Sequence, residues 1–170
     1  MYLWHLGVGA AIVYVTLGRR RIDYRFVLIG AVLPDVIDTP LSAVLGWQAG
    51  RGIAHALLGP AALMALVVLV FRGERRLAWF GLPVGWLTHL VADGMWSSPR
   101  TFFWPAFGSR FDTSPAEPYS VALVAHPLAH WTTWAGELVG LAILAWFWVA
   151  FRLGEKGRLG LFLTDGYLRP

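Results

Sequence analysis

Five apolar stretches, roughly 2–17, 26–47, 53–71, 77–98 and 131–151, take up most of this 170-residue chain. Each is long enough, or nearly so, for a helix to cross a bilayer core, which takes about 20 residues. In hydrocarbon every backbone N–H and C=O must be paired within the protein, so only helices and closed barrels cross. Runs of this length suit helices. Composition agrees: 57% of residues are hydrophobic and 14% are charged, whereas soluble domains carry about 25% charged residues. Mean hydropathy is +0.58. The chain is therefore expected to be all-α, a polytopic membrane bundle of about five transmembrane helices, with residues 1–170 forming a single integral membrane domain. The first stretch starts at Tyr2 with no basic segment ahead of it, which predicts a retained helix rather than a signal peptide.

The basic residues orient this bundle. Of the 14 Lys and Arg residues, Arg19, Arg20, Arg21 and Arg25 fall between the first two stretches. Arg72, Arg75 and Arg76 fall between the third and fourth, and Arg152, Lys156, Arg158 and Arg169 follow the fifth. Only Arg51, Arg100 and Arg110 lie on the other side of an alternating five-span arrangement. Cytoplasmic loops carry the excess of Lys and Arg. The prediction is an inner (cytoplasmic) membrane protein with its N-terminus outside and its C-terminus in the cytoplasm. Orientation also accounts for the net charge of +4. No basic face or binding motif points to nucleic acid as a partner, and membrane lipid is the expected one. With no cysteine in the chain, disulfides and thiolate metal sites are excluded. A metal here must be held by imidazole and carboxylate.

The acidic and imidazole groups gather at the opposite level from the basic ones. His5 is at the outer end of the first stretch, and Asp35 and Asp38 lie mid-span to outer in the second. His55 opens the third, and His89 and Asp93 occupy the outer half of the fourth. His126 and His130 lead into the fifth, with Glu137 two turns deeper. Asp35 and Asp38, at i,i+3, share one helix face, as do His89 and Asp93 at i,i+4. An Asp at the bilayer centre costs roughly 2.5–3.5 kcal/mol, so three left unpaired would cost about 8–10 kcal/mol. No basic residue inside the second stretch offsets this, which calls for a cation or for protonation. Pro34 is expected to break the second helix and start a new half-helix at the site. Segment 99–130, with Phe102, Phe103, Trp104, Phe107 and Phe111, is expected to form an aromatic cap at headgroup level.

These residue types suit hydrolytic metal chemistry. Imidazoles and carboxylates with an open position hold Zn2+, with Mn2+ or Fe2+ as alternatives, and such an ion lowers the pKa of bound water. Candidate ligands are His5, Asp35, Asp38, His55, His89 and Asp93. Candidate proton-transfer groups are Asp38, Glu137 and His130. Arg51, Arg100 or Arg110 is a candidate for binding substrate phosphate. Each also has a plainer reading: a helix-capping Asp, a buried His–Asp hydrogen bond, a surface Arg, or an interfacial histidine.

The motifs resemble the membrane-bound metal-dependent hydrolase family, which includes a LexA-regulated bacterial inner-membrane protein. The resemblance rests on His5, Gly30-Ala31-Val32-Leu33-Pro34-Asp35-Val36-Ile37-Asp38, Arg51-Gly52-Ile53-Ala54-His55, Gly85-Trp86-Leu87-Thr88-His89-Leu90-Val91-Ala92-Asp93 and Trp104-Pro105-Ala106-Phe107. Where that family usually carries His, this chain has Gly50 and Thr39. The resemblance implies a site pattern similar to zinc-dependent phospholipase C, with Asp35, Asp38, His55, His89 and Asp93 as ligands and His5 as a further one. The resulting expectation is metal-dependent hydrolysis of a phosphoester, in a lipid or at the membrane surface. The alternatives are an ion or small-solute transporter and a non-catalytic metal-binding scaffold.

Overall fold

A computed structural model describes residues 1–18, 22–45, 51–111 and 131–169. His126 and His130, and residues 112–130 of the expected cap, lie outside the described residues. The described residues contain helices and no strand. The helices are α1 (Tyr2–Leu17), α2 (Tyr24–Leu45), α3 (Leu58–Val70), α4 (Gly73–Trp79), α5 (Gly81–Ala92), α6 (Pro99–Phe102), α7 (Trp131–Ala150) and α8 (Arg158–Asp165). Single 3-10 turns cover Ile53–His55 and Met95–Ser97.

The expected break at Pro34 does not occur. The second apolar stretch is one helix of 22 residues with Pro34 and Pro40 inside it. A proline removes one N–H from the ladder and crowds the carbonyl four residues back. Neighbouring helices can hold the backbone through such a lesion, and α2 has α5 packed along it. The third and fourth stretches are less regular than their apolarity suggests. His55 closes a 3-10 turn ahead of α3, and Asp93 follows the last residue of α5. Among the described helices, α7 meets both length and apolarity requirements for a membrane span, while α1 and α3 are apolar but shorter.

Two helix pairs organise the molecule, and glycines set how closely each pair approaches. Along α2 and α5, a Cβ on Gly30 would strike the Leu82 carbonyl, and a Cβ on Gly85 would strike the Val27 carbonyl. Along α1 and α7, Gly7 meets Gly140, and a Cβ on Gly140 would also strike the Leu3 carbonyl. Small residues that let backbones approach are what membrane helices use in place of a hydrophobic driving force. In both pairs the order of contacts rises together along the two chains: Leu3 with Gly140 and Tyr14 with Phe147, then Asp23 with Gly81 and Ala31 with His89. The members of each pair therefore run parallel, as first with fifth and second with fourth stretches do in an alternating bundle.

The core divides by level. Val13, Tyr24, Val27, Phe147 and Phe151 pack together at one end, and Ala54, Trp86, Leu90 and Met95 form a second cluster near the His and Asp residues. Large apolar side chains on the outer faces, including Leu66, Leu69 and Val70 on α3 and Leu138, Leu141 and Val149 on α7, are exposed. A bilayer would cover such a surface.

The chain after α7 folds back onto the start of α2. The Tyr24 N–H donates to the Gly166 carbonyl at 2.9 Å, and the Arg25 guanidinium donates to the Leu163 carbonyl at 2.7 Å. Buried Asp23 holds that guanidinium through both carboxylate oxygens, at 2.6–3.2 Å. Gly166 adopts φ 76° and lies so near Asp23 that any side chain there would collide with the carboxylate.

Candidate metal centre

Asp38 is fully buried, and its carboxylate organises the turn that carries His55. One oxygen accepts the backbone N–H groups of Gly52 at 2.7 Å and His55 at 3.1 Å, and the other accepts that of Ala54 at 3.1 Å. His55 Nδ1 stands 2.7 Å from the first oxygen. A carboxylate that gathers three N–H donors acts as an acceptor, so His55 Nδ1 donates to it, and in the neutral ring Nε2 keeps its lone pair. The Trp86 indole N–H fixes the same turn by donating to the Ala54 carbonyl at 2.7 Å.

His89 is set the same way by backbone. Its Nδ1 lies 2.7 Å from the Ala31 carbonyl on α2. A carbonyl only accepts, so Nδ1 carries the hydrogen and Nε2 carries the lone pair. The close approach of Gly30 and Gly85 brings α5 near enough to α2 for this bond.

The two lone pairs face each other. His55 Nε2 and His89 Nε2 are 3.3 Å apart, so with both rings neutral the two lone pairs meet, and a proton on one nitrogen or a cation between them would join the rings. Asp35 Oδ1 lies 3.6 Å from the first nitrogen and 3.7 Å from the second, and Asp93 Oδ2 lies 3.7 Å from His55 Nε2. Four atoms with bonds of about 2.0–2.1 Å to one tetrahedral ion stand about 3.3–3.4 Å apart. The four observed separations lie near such edges, and His55, His89 and Asp93, whose ligand atoms all lie within 4.8 Å of one another, form a three-donor group that could hold one ion with a position left open. Hydrogen bonds from Nδ1 to a carboxylate and to a backbone carbonyl are also the usual orienting partners of metal-bound histidines.

His5 completes the cluster from α1. Its ring stacks on His89 with centroids 4.0 Å apart, and its Nε2 lies 3.3 Å from Asp93 Oδ1. Its buried Nδ1 has no hydrogen-bond partner. The ligand-capable atoms of His5, Asp35 and His89 form one close group, and those of His55, His89 and Asp93 form another, each within 4.8 Å. Trp4 ties α1 to this level through its indole N–H and the Ala92 carbonyl, at 3.3 Å.

The structure thus brings His5, Asp35, His55, His89 and Asp93 together, with Asp38 behind His55. Both oxygens of Asp38 are committed to donors, which leaves this carboxylate holding the turn rather than facing the others. Glu137 stands apart: its carboxylate accepts the Leu3 N–H at 2.9 Å and lies 3.7 Å from the terminal amine, capping the start of α1. Arg51 lies beside the cluster, its guanidinium 2.9 Å from Asp93 Oδ2. Arg100 and Arg110 are exposed and make no ion pair with the cluster among the described residues. His130 is outside the described residues. The orienting carbonyl of Ala31 and the amides of residues 52–55 escape a sequence reading, because a backbone group leaves no mark in residue type. The Gly pairing across α2 and α5 was the one available signal.

Asp38→Asn would convert acceptor capacity into donors facing three N–H groups. The amides of Gly52, Ala54 and His55 should then exchange with solvent deuterium about 10–100-fold faster, matching loss of one or two charge-assisted hydrogen bonds. Unchanged exchange at those three amides would remove Asp38 as the organiser of the turn.

Among protein families, the one described as YdjM inner membrane protein matches residues 1–159. No curated protein and no solved structure matches the chain.

Proposed function

The chain belongs to the YdjM inner membrane protein family, and on that premise we propose that it is a membrane-bound, metal-dependent hydrolase of phosphoesters. Its ion would be held by His55, His89 and Asp93, with a position left open for water and with Asp35 and His5 beside them. The observation that carries this reading is the pair of imidazole lone pairs directed at each other across 3.3 Å, flanked by two carboxylate oxygens. With both rings neutral, that arrangement is unfavourable unless a proton or a cation lies between them. Charge balance points the same way. Asp35, Asp38 and Asp93 against Arg51 leave two negative charges in a buried cluster, which one divalent ion cancels. Zn2+ suits the mixed nitrogen and oxygen donors, with Mn2+ or Fe2+ as alternatives.

When bound, the ion would supply a Lewis acid for a phosphoryl oxygen and a more acidic water. The chain's own part follows from its geometry. Asp35 is 24% exposed, which makes it the carboxylate placed to take a proton from an incoming water. Asp38 and the Ala31 carbonyl keep both imidazoles aimed while this happens. The buried rings of His5, His55 and His89 limit water behind the site. Exposed Trp96, Phe103 and Phe107 lie on the segments that follow Asp93, and aromatic residues favour headgroup level. A substrate presented at that level, a lipid phosphoester or a phosphoester at the membrane surface, fits this mouth.

In the same proposal five crossings set the site outside and the C-terminus in the cytoplasm, in keeping with eleven basic residues at the opposite ends of the helices. A cysteine replacing exposed Ser109 should react with an impermeant thiol reagent in intact cells. Reaction only after permeabilisation would reverse the orientation.

Protein purified in detergent should carry zinc, manganese or iron by elemental mass spectrometry, at about one ion per chain. His89→Ala and Asp93→Ala should lose most of it while keeping wild-type helical circular dichroism. The metal-loaded protein should turn over a phosphoester panel that includes phospholipids, and both variants should lose that activity. Folded wild-type protein that takes up no divalent ion when ions are restored would leave a proton shared by the two imidazoles, and the hydrolase reading would go with it.

A further inference from the structure

Arg51 is the cation at the edge of the cluster, and its setting differs from that of a surface arginine. Its loop is held from behind, because the next residue's N–H donates to buried Asp38. Its guanidinium lies 2.9 Å from Asp93 Oδ2, the same oxygen that stands 3.7 Å from His55 Nε2. A single carboxylate oxygen therefore separates the guanidinium from the His55 imidazole. The exposure of the three groups rises outward, from 1% at His55 to 12% at Asp93 and 42% at Arg51. The guanidinium sits where the buried polar cluster meets the outside. It has five N–H donors, and Asp93 is its one ion-pair partner among the described residues.

We infer that Arg51 binds a tetrahedral oxyanion of the phosphate class, held between its guanidinium and the ion that His55, His89 and Asp93 would hold. This rests on the proposed metal-dependent reading. A phosphoryl group presents several oxygens in a tetrahedron, so one can face the donor set while two others meet the fork of the guanidinium. Bidentate recognition of this kind is what a planar guanidinium supplies and an ammonium does not. Asp93 keeps the fork from swinging into solvent while leaving its outer donors available. In this role Arg51 is a binding residue that chooses the chemical class of substrate, while the imidazoles and carboxylates hold the ion.

The test uses the full chain in detergent, loaded with zinc, and inorganic phosphate as the probe. Phosphate affinity is measured by titration calorimetry, with zinc content measured on the same samples, for wild type, Arg51→Lys and Arg51→Ala. Both variants should keep wild-type zinc and helical circular dichroism. Both should bind phosphate about tenfold more weakly or worse, as expected when a charge-assisted bidentate contact is lost. The lysine variant separates the fork from the charge, since it keeps the charge alone. Competition then distinguishes two sources of the same chemistry. Phosphatidic acid in mixed micelles displacing phosphate better than a soluble phosphomonoester would identify a lipid headgroup, and the reverse order a soluble ester.

Wild-type phosphate affinity in Arg51→Ala would overturn the inference. So would zinc lost together with phosphate, which would make Arg51 a support for Asp93. Zinc bound by wild type without phosphate binding would refute the role of Arg51 alone and leave the metal reading standing. Arg51-dependent phosphate binding in wild type that holds no zinc would do the opposite.

Discussion

The carboxylate of Asp38 is the contact on which the rest of the site depends. It sits fully buried at the α2 face and accepts three backbone N–H groups and His55 Nδ1. A buried ionised carboxylate is costly unless its lone pairs are filled, and here they are filled by the turn that carries His55. The same contact therefore builds a loop, settles a charge and fixes a tautomer. Removing it would free the turn between α2 and α3 and release Arg51 and His55 together, because both are anchored through that turn.

Helix packing supplies the other half. His89 takes its orientation from the Ala31 carbonyl, which it reaches because Gly30 and Gly85 allow α2 and α5 to touch at the backbone. Membrane helices gain little from burying apolar surface against one another, so close backbone contact is their main source of association. In this chain that source also delivers the imidazole. His5 and Trp4 then bring α1 to the same level, through the stack on His89 and the bond to Ala92. Three helices and one short turn thus converge on a cluster that no single one of them could form.

Much of this was visible in the residues, and the reasons differ where it was not. The 3.6-residue period carried His89 and Asp93 to one face, and the positions of His5, Asp35 and His55 in their apolar stretches placed them at one depth. All five converge in the fold. The same period put Asp35 and Asp38 on one face, but it could not say that Asp38 would turn to the amides of residues 52–55, since amides are present at every residue. Pro34 suggested a broken helix because a proline removes a donor; the packing of α5 along α2 outweighs that single loss. Glu137, expected to take part in proton transfer, caps α1 through the Leu3 N–H instead of reaching the cluster. The return of the C-terminal segment depends on Asp23, Arg25 and Gly166. Contacts between residues so far apart in the chain have no local signature.

The central claim is that His55 and His89, aimed by Asp38 and by the Ala31 carbonyl, share one ion with carboxylate oxygens. X-ray absorption fine structure of the zinc-loaded protein tests it most directly, because the outer-shell scattering of imidazole counts histidine ligands. The account predicts two imidazole nitrogens and carboxylate oxygens in a first shell at about 2.0–2.1 Å, falling to one imidazole in His55→Ala. A shell of oxygen alone, or an imidazole count that His55→Ala leaves unchanged, would contradict it.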